Sequence, residues 1–145
     1  MPLKIIIKPE TLNKSNGGPI TGMIYFDFGD VRFPGGGWVD FPGNLMSWWI
    51  AELLRVAGSK NANGLFRFMD GLPEIRFQFS SPGTCELRGL ENGQNNFTRS
   101  VSVEDLQRAL VEAADVLVVA CTERGWDDDA YHARTSAERG RIAWL

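Results

Sequence analysis

The chain has 145 residues, a length that fits one domain, 1–145, around a single core. Hydrophobic residues make up 43% and charged residues 23%, which excludes global disorder. The 15 Lys and Arg against 18 Asp and Glu leave a formal charge of −3, which disfavours nucleic acid, because neutralising phosphates needs clustered basic side chains.

Leu3 to Lys8 reads as a short strand, rich in β-branched residues. Thr11 to Thr21 carries Asn, Ser, Gly-Gly and Pro, which is loop chemistry. Met23 to Phe28 reads as a second strand. Ile24, Phe26 and Phe28 lie on one face of it, with Met23, Tyr25 and Asp27 on the other. Gly29-Asp30 marks a turn, and Val31 to Phe33 returns from it. Gly35-Gly36-Gly37 reads as a tight turn; it lacks the Lys-Ser/Thr of a P-loop and the GxGxxG spacing.

A first helix is expected from Pro42 or Asn44 to Ala57, with Pro at its start and Gly58 after its end. Leu45, Trp49, Leu53 and Val56 form its apolar stripe, widened by Met46, Ile50 and Leu54. Trp48 falls at the boundary of that stripe. Four strand-like runs follow: Gly64 to Met69, Glu74 to Phe79, Thr84 to Leu90 and Phe97 to Val101. Their connections are Asp70-Gly71, Ser80 to Gly83 (Ser81 among them) and a polar turn from Glu91 to Asn96. Such short links favour an antiparallel meander. Arg67, Arg76 and Arg88, with Glu74 and Glu86, are expected on its wet face as cross-strand charge pairs.

A second helix begins at Ser102, a good N-cap with Glu104 and Asp105 in the first turn, and stops at Gly125. A further short helix is expected from Asp129 to Glu138, and Trp144 and Leu145 are expected to dock on the body. The expected class is α+β: an antiparallel sheet of five to seven strands, with two main helices packed on one face.

Candidate chemistry is sparse. Asp127, Asp128, Asp129 and His132 bring ligand-type side chains together, and Asp128 and His132 stand four apart. His132 is the chain's one histidine, so two-histidine metal motifs are excluded. The acidic run is more simply a solvated helix start, and no metal or other cofactor is assigned. Cys85 and Cys121 sit in apolar patterns and read as buried, inert thiols. Asp40 has two structural readings, as a cap for the following helix or as acceptor for a tryptophan N–H. Ile5-Ile6-Ile7 is too short for a signal h-region, and no later run reaches membrane length, so a cytoplasmic protein without membrane contact is expected.

The pattern Phe33-Pro34, Trp38-x-Asp40-Phe41, Leu45, Trp48-Trp49, followed by Arg67-Phe68-Met69-Asp70-Gly71, resembles the immunity proteins of bacterial polymorphic-toxin and contact-dependent growth inhibition systems. The likeness covers about the first half of the chain, and its residues look structural, so no toxin-contacting residue carries over. It implies a cytoplasmic, non-catalytic protein that binds and blocks one cognate toxin domain. Local composition then points to two acidic partner-binding patches. The first is Glu123, Asp127, Asp128 and Asp129, with Trp126 and Tyr131 as aromatic anchors. The second is Asp27, Asp30 and Asp40, near the glycine turn. The alternative is a small-molecule-binding or enzymatic domain, marked by convergent polar groups in a pocket between sheet and helices. The oligomeric state is not legible in the sequence.

Overall fold

In the computed structural model, which describes residues 3–59, 62–80 and 82–142, the class is α+β. The strands fall into two antiparallel sheets, rather than the single sheet expected. The first is built around one long strand. β3 (Ile20–Asp27) pairs with β1 (Lys4–Ile7), β2 (Asn13–Lys14), β4 (Arg32–Phe33) and β5 (Val39–Asp40). Part of the expected loop from Thr11 to Thr21 is therefore strand. A 3-10 turn at Pro9–Thr11 leads into it, and the Thr11 hydroxyl accepts from the Met23 amide at 2.9 Å.

The second sheet is the expected meander, β6 (Asn63–Arg67), β7 (Pro73–Phe79), β8 (Thr84–Glu91) and β9 (Gln94–Ser102), in sequential order. The last hairpin is tighter than its polar sequence suggested. Asn92 and Gly93 alone form the turn, with φ of 56° and 80°, the left-handed pair a type I′ turn requires. Two cross-strand pairs shape this sheet. Gly64 lies opposite Phe77 and Gly89 opposite Phe97, and each phenylalanine ring lies over its glycine. A Cβ on Gly64 would stand 2.1 Å from the Phe77 ring, and one on Gly89 would stand 2.0 Å from the Phe97 ring.

Of three helices, α1 (Pro42–Ala57) and α2 (Val103–Glu123) pack on the sheets, and α3 (Asp127–Ile142) packs on α1 and α2. α1 buries Leu45, Met46, Trp49, Ile50, Leu53 and Val56, close to the stripe read from its spacing. α2 starts as expected: the Ser102 hydroxyl accepts from the Asp105 amide at 2.9 Å. α3 is a full helix of 16 residues, longer at both ends than the segment expected. Ala130, Ala133 and Ala137 are buried, and a Cβ on Gly140 would come within 3.0 Å of Val111. These small residues recur at helical spacing and let α3 lie close against α2 and α1. The expected docking of Trp144 and Leu145, and the place of Ser81 in its turn, fall outside the described residues.

An aromatic cluster joins the layers. The Phe26 ring centroid lies 5.0 Å from Trp49 and 5.8 Å from Phe66, and Phe66 stacks on Phe77 at 4.3 Å. Edge-to-face and offset contacts of this kind add to the area buried. α1 also closes one edge of the meander. The Trp49 indole N–H donates to the Arg67 carbonyl at 2.8 Å, and Glu52 accepts from the Leu65 amide at 2.9 Å. Arg55 donates to the Asn63 carbonyl at 2.7 Å and to both Glu52 oxygens. Residues 63, 65 and 67 turn their backbone groups away from β7, and three α1 side chains satisfy them.

Candidate functional site

The two acidic patches fare differently. Asp40 is 4% exposed and so is not available to a partner. Its carboxylate accepts from the Trp38 indole N–H at 2.8 Å, the Phe41 amide at 2.8 Å and the Met69 amide at 3.2 Å. The tryptophan-acceptor reading holds. The helix-cap reading does not, because no side chain caps the start of α1. Asp40 instead ties β5 to the end of the first meander strand. Asp27 is also occupied: it accepts from the Gly29 amide at 2.8 Å and stands 3.7 Å from Arg32. Asp30 is exposed but ion-paired to Arg99 of β9. The second patch is thus a set of turn and strand locks.

The first patch splits along two faces of α3. Asp127, Asp128 and Tyr131 lie outward, and the Tyr131 side chain is 63% exposed. Glu123 is exposed at the end of α2. Trp126 is half-buried against the core, with the Arg124 guanidinium 5.3 Å from its ring centre. It anchors the α2–α3 corner more than it offers a free aromatic. Asp129 turns inward and pairs with Lys14 of β2.

Beside Glu123, α2 exposes an apolar strip; Val119, expected with Val118 to widen the core face of the helix, turns outward instead. Val119 is 56% exposed and Val116 also reaches solvent. With Pro9 and Ala120 they line a shallow groove of about 320 Å³, bordered by Asp115 and Glu123. Glu112, also exposed, precedes Val116 by one turn. Asp115 pairs with Arg141. The signal lay in the helix pattern: Val116 and Val119 fall outside the Leu106, Leu110, Leu117 face and have no core to enter.

A flank of α3, running from half-buried Asp129 through exposed His132 and buried Ser136 to exposed Arg139, lines a separate cleft of about 430 Å³. Asp129, His132, Ser136 and Arg139 follow at helical spacing, so one face presents all four. Opposite stand Gly43, Asn44, Ser47 and Trp48 from the first turns of α1, with Ile20 and Leu117 below. His132 stands one turn from both Asp128 and Asp129, and of the two carboxylates Asp129 lines the cleft with it. Among the described residues no group of three or more His, Cys, Asp or Glu is placed to hold a metal ion.

Both thiols are buried and free. Burial pushes the Cys85 thiol up to about 12 and Cys121 up to about 11, with nearby Glu86 and Asp129 adding to the respective rises. Neither is poised as a nucleophile at neutral pH.

The wet face of the meander also departs from expectation. Arg67 lies opposite Glu74, but Arg76 lies opposite Arg88, a like-charge pair across the strands. Glu74 relieves it by pairing along its own strand with Arg76 at 3.2 Å. Among the described residues, no helix is long and apolar enough to cross a membrane. Comparison of the chain with protein-family models, curated proteins and solved structures finds no match.

Proposed function

We propose that this chain is a non-catalytic protein-binding module, an immunity protein that acts in the cytoplasm by covering the active surface of a cognate bacterial toxin domain. The observation that carries the reading is the outer face of α2 and the start of α3. Exposed Val116 and Val119 sit beside Glu112, Asp115 and Glu123, and Tyr131 stands one turn from Asp127 and Asp128. Apolar side chains exposed amid carboxylates suit a partner with a basic rim and an apolar centre. A toxin domain acting on nucleic acid has that character, because its substrate groove must be basic. The sequence likeness in the Phe33 to Gly71 region supports the same class without contributing a contact residue.

The test is co-expression. The wild-type chain should restore growth to cells expressing the toxin domain encoded beside it. Val119→Asp combined with Asp127→Lys and Asp128→Lys should not, while remaining folded by circular dichroism. Equal protection by both chains would remove this face from the account, and no protection by either would remove the immunity reading.

A further inference from the structure

A second site lies on the opposite stripe of α3, and it does not depend on the protein-binding reading. Two polar side chains in the described core are buried, Asp40 and Ser136. Asp40 has three N–H donors. Ser136 is 8% exposed, lines the cleft, and its hydroxyl makes no hydrogen bond with the described residues. A hydroxyl in mid-helix ordinarily bonds back to the carbonyl four residues earlier, as Thr135 does to Tyr131 at 3.0 Å. Ser136 does not. Among the described residues the one sealed and unmatched side-chain atom is Arg99 Nε, so the Ser136 oxygen still opens onto the cleft, unmatched by protein and able to meet a ligand there.

The wall facing it has the same character. α1 begins Phe41-Pro42-Gly43-Asn44 with no side-chain cap and no acidic residue in its first turn. Gly43 and Asn44 line the cleft, and their amides are among the donors that a helix start leaves without an intrahelical partner. Arg139 reaches the same cleft and has no carboxylate partner among the described residues, unlike Arg141, which pairs with Asp115. His132 adds a ring nitrogen. Asp129 is the one carboxylate in the lining, and Lys14 already neutralises it. Trp48, 45% exposed, forms an apolar wall beside these donors.

We infer that this cleft binds a small oxyanion-bearing molecule, its phosphate or carboxylate held by the α1 amides, Arg139, His132 and Ser136, and its body laid against Trp48. Helix-start amides and a guanidinium are the usual donors for either group. The volume is that of a small-ligand site.

The probes are inorganic phosphate and acetate, titrated separately into the 15N-labelled chain at constant ionic strength and followed by NMR. Saturable shifts are expected at Gly43, Asn44 and Ser136. Arg139→Ala should weaken binding at least about tenfold, the loss of one charge-assisted contact. Ser136→Ala should weaken it several-fold while leaving the unfolding midpoint close to that of the wild type. Arg76→Gln, on the meander, should leave it unchanged. A response to phosphate alone assigns a phosphate-bearing ligand; a response to acetate as strong or stronger assigns a carboxylate. No saturable shift with either anion, or shifts that persist in Arg139→Ala, would overturn the inference.

Discussion

Asp40 shows how a single carboxylate can replace a length of secondary structure. β5 is two residues long, and Asp40 ends it. From there the carboxylate reaches back to Trp38, forward to Phe41 and across to Met69. Removing it strands three N–H donors in a largely buried place. Asp40→Ala should therefore lower unfolding free energy by about 3 kcal/mol or more, with Asp40→Asn losing less because one acceptor oxygen remains. Urea denaturation of both variants measures this. Gly64 and Gly89 are constrained by their neighbours, not by their own φ. At each, an alanine Cβ would displace a buried phenylalanine ring that already has ring partners. Gly64→Ala and Gly89→Ala should each cost roughly 1–3 kcal/mol by overpacking, read as a lower thermal midpoint. The thiols give a kinetic check. Burial holds both thiols, Cys85 and Cys121, protonated well above neutral pH and keeps reagents from them. Reaction with a thiol reagent should then run at the rate of unfolding, and rapid labelling of the native chain would contradict the burial.

At the scale of elements, α1 does two jobs with two of its faces. One face fills the core; the edge of that face, through Trp49, Glu52 and Arg55, completes the hydrogen bonding of β6. Arg55, donating to both Glu52 oxygens, holds that carboxyl below the ordinary carboxylate range; burial opposes this in part, and the Leu65 amide adds a smaller lowering. A folded pKa depressed below the unfolded value gives stability that is present above the unfolded value, near 4.3, and is lost as pH falls through the folded one. The stability difference between wild type and Glu52→Gln should accordingly be largest at neutral pH and shrink below about pH 4. A difference that grows in acid would reverse the sign of this argument.

The amphipathic stripe of α1 was legible because its apolar residues repeat every three or four positions. So was the Ser102 cap, whose chemistry is local. The cleft was not. Its parts come from α1, α3 and the start of β3, and the sequence places His132 equally well with Asp128 or Asp129. Which of the two turns inward depends on the buried Ala130, Ala133 and Ala137 stripe, whose small side chains carry little hydropathy signal. The Asn92-Gly93 turn, by contrast, was a readable type I′ signature; polar flanking residues on an edge strand obscured it.

Over the whole molecule, both charge signs reach solvent on the helices, where Arg108, Arg124, Arg134, Arg139 and Arg141 are exposed, but the outer face of α2 and the start of α3 gather carboxylates. Glu112, Glu123, Asp127 and Asp128 are exposed on the helical side, whereas Arg67, Arg76 and Arg88 are exposed on the meander. Their positions follow from burial: α2 and α3 turn their small and apolar residues to the core, and the meander turns its phenylalanines inward. That much could be anticipated from alternation and spacing. The division into two sheets could not, because β2, β4 and β5 are two residues each and exist only through pairing with β3. The acidic helical face is what the protein-binding account rests on. Its most direct measurement is calorimetric titration of the purified toxin domain into wild type and into Asp127→Lys with Asp128→Lys, at several salt concentrations. The account predicts that charge reversal weakens binding at least about tenfold and flattens its salt dependence, while Arg88→Glu on the meander leaves both nearly unchanged. Equal affinity and equal salt dependence for wild type and the charge-reversed chain would contradict it.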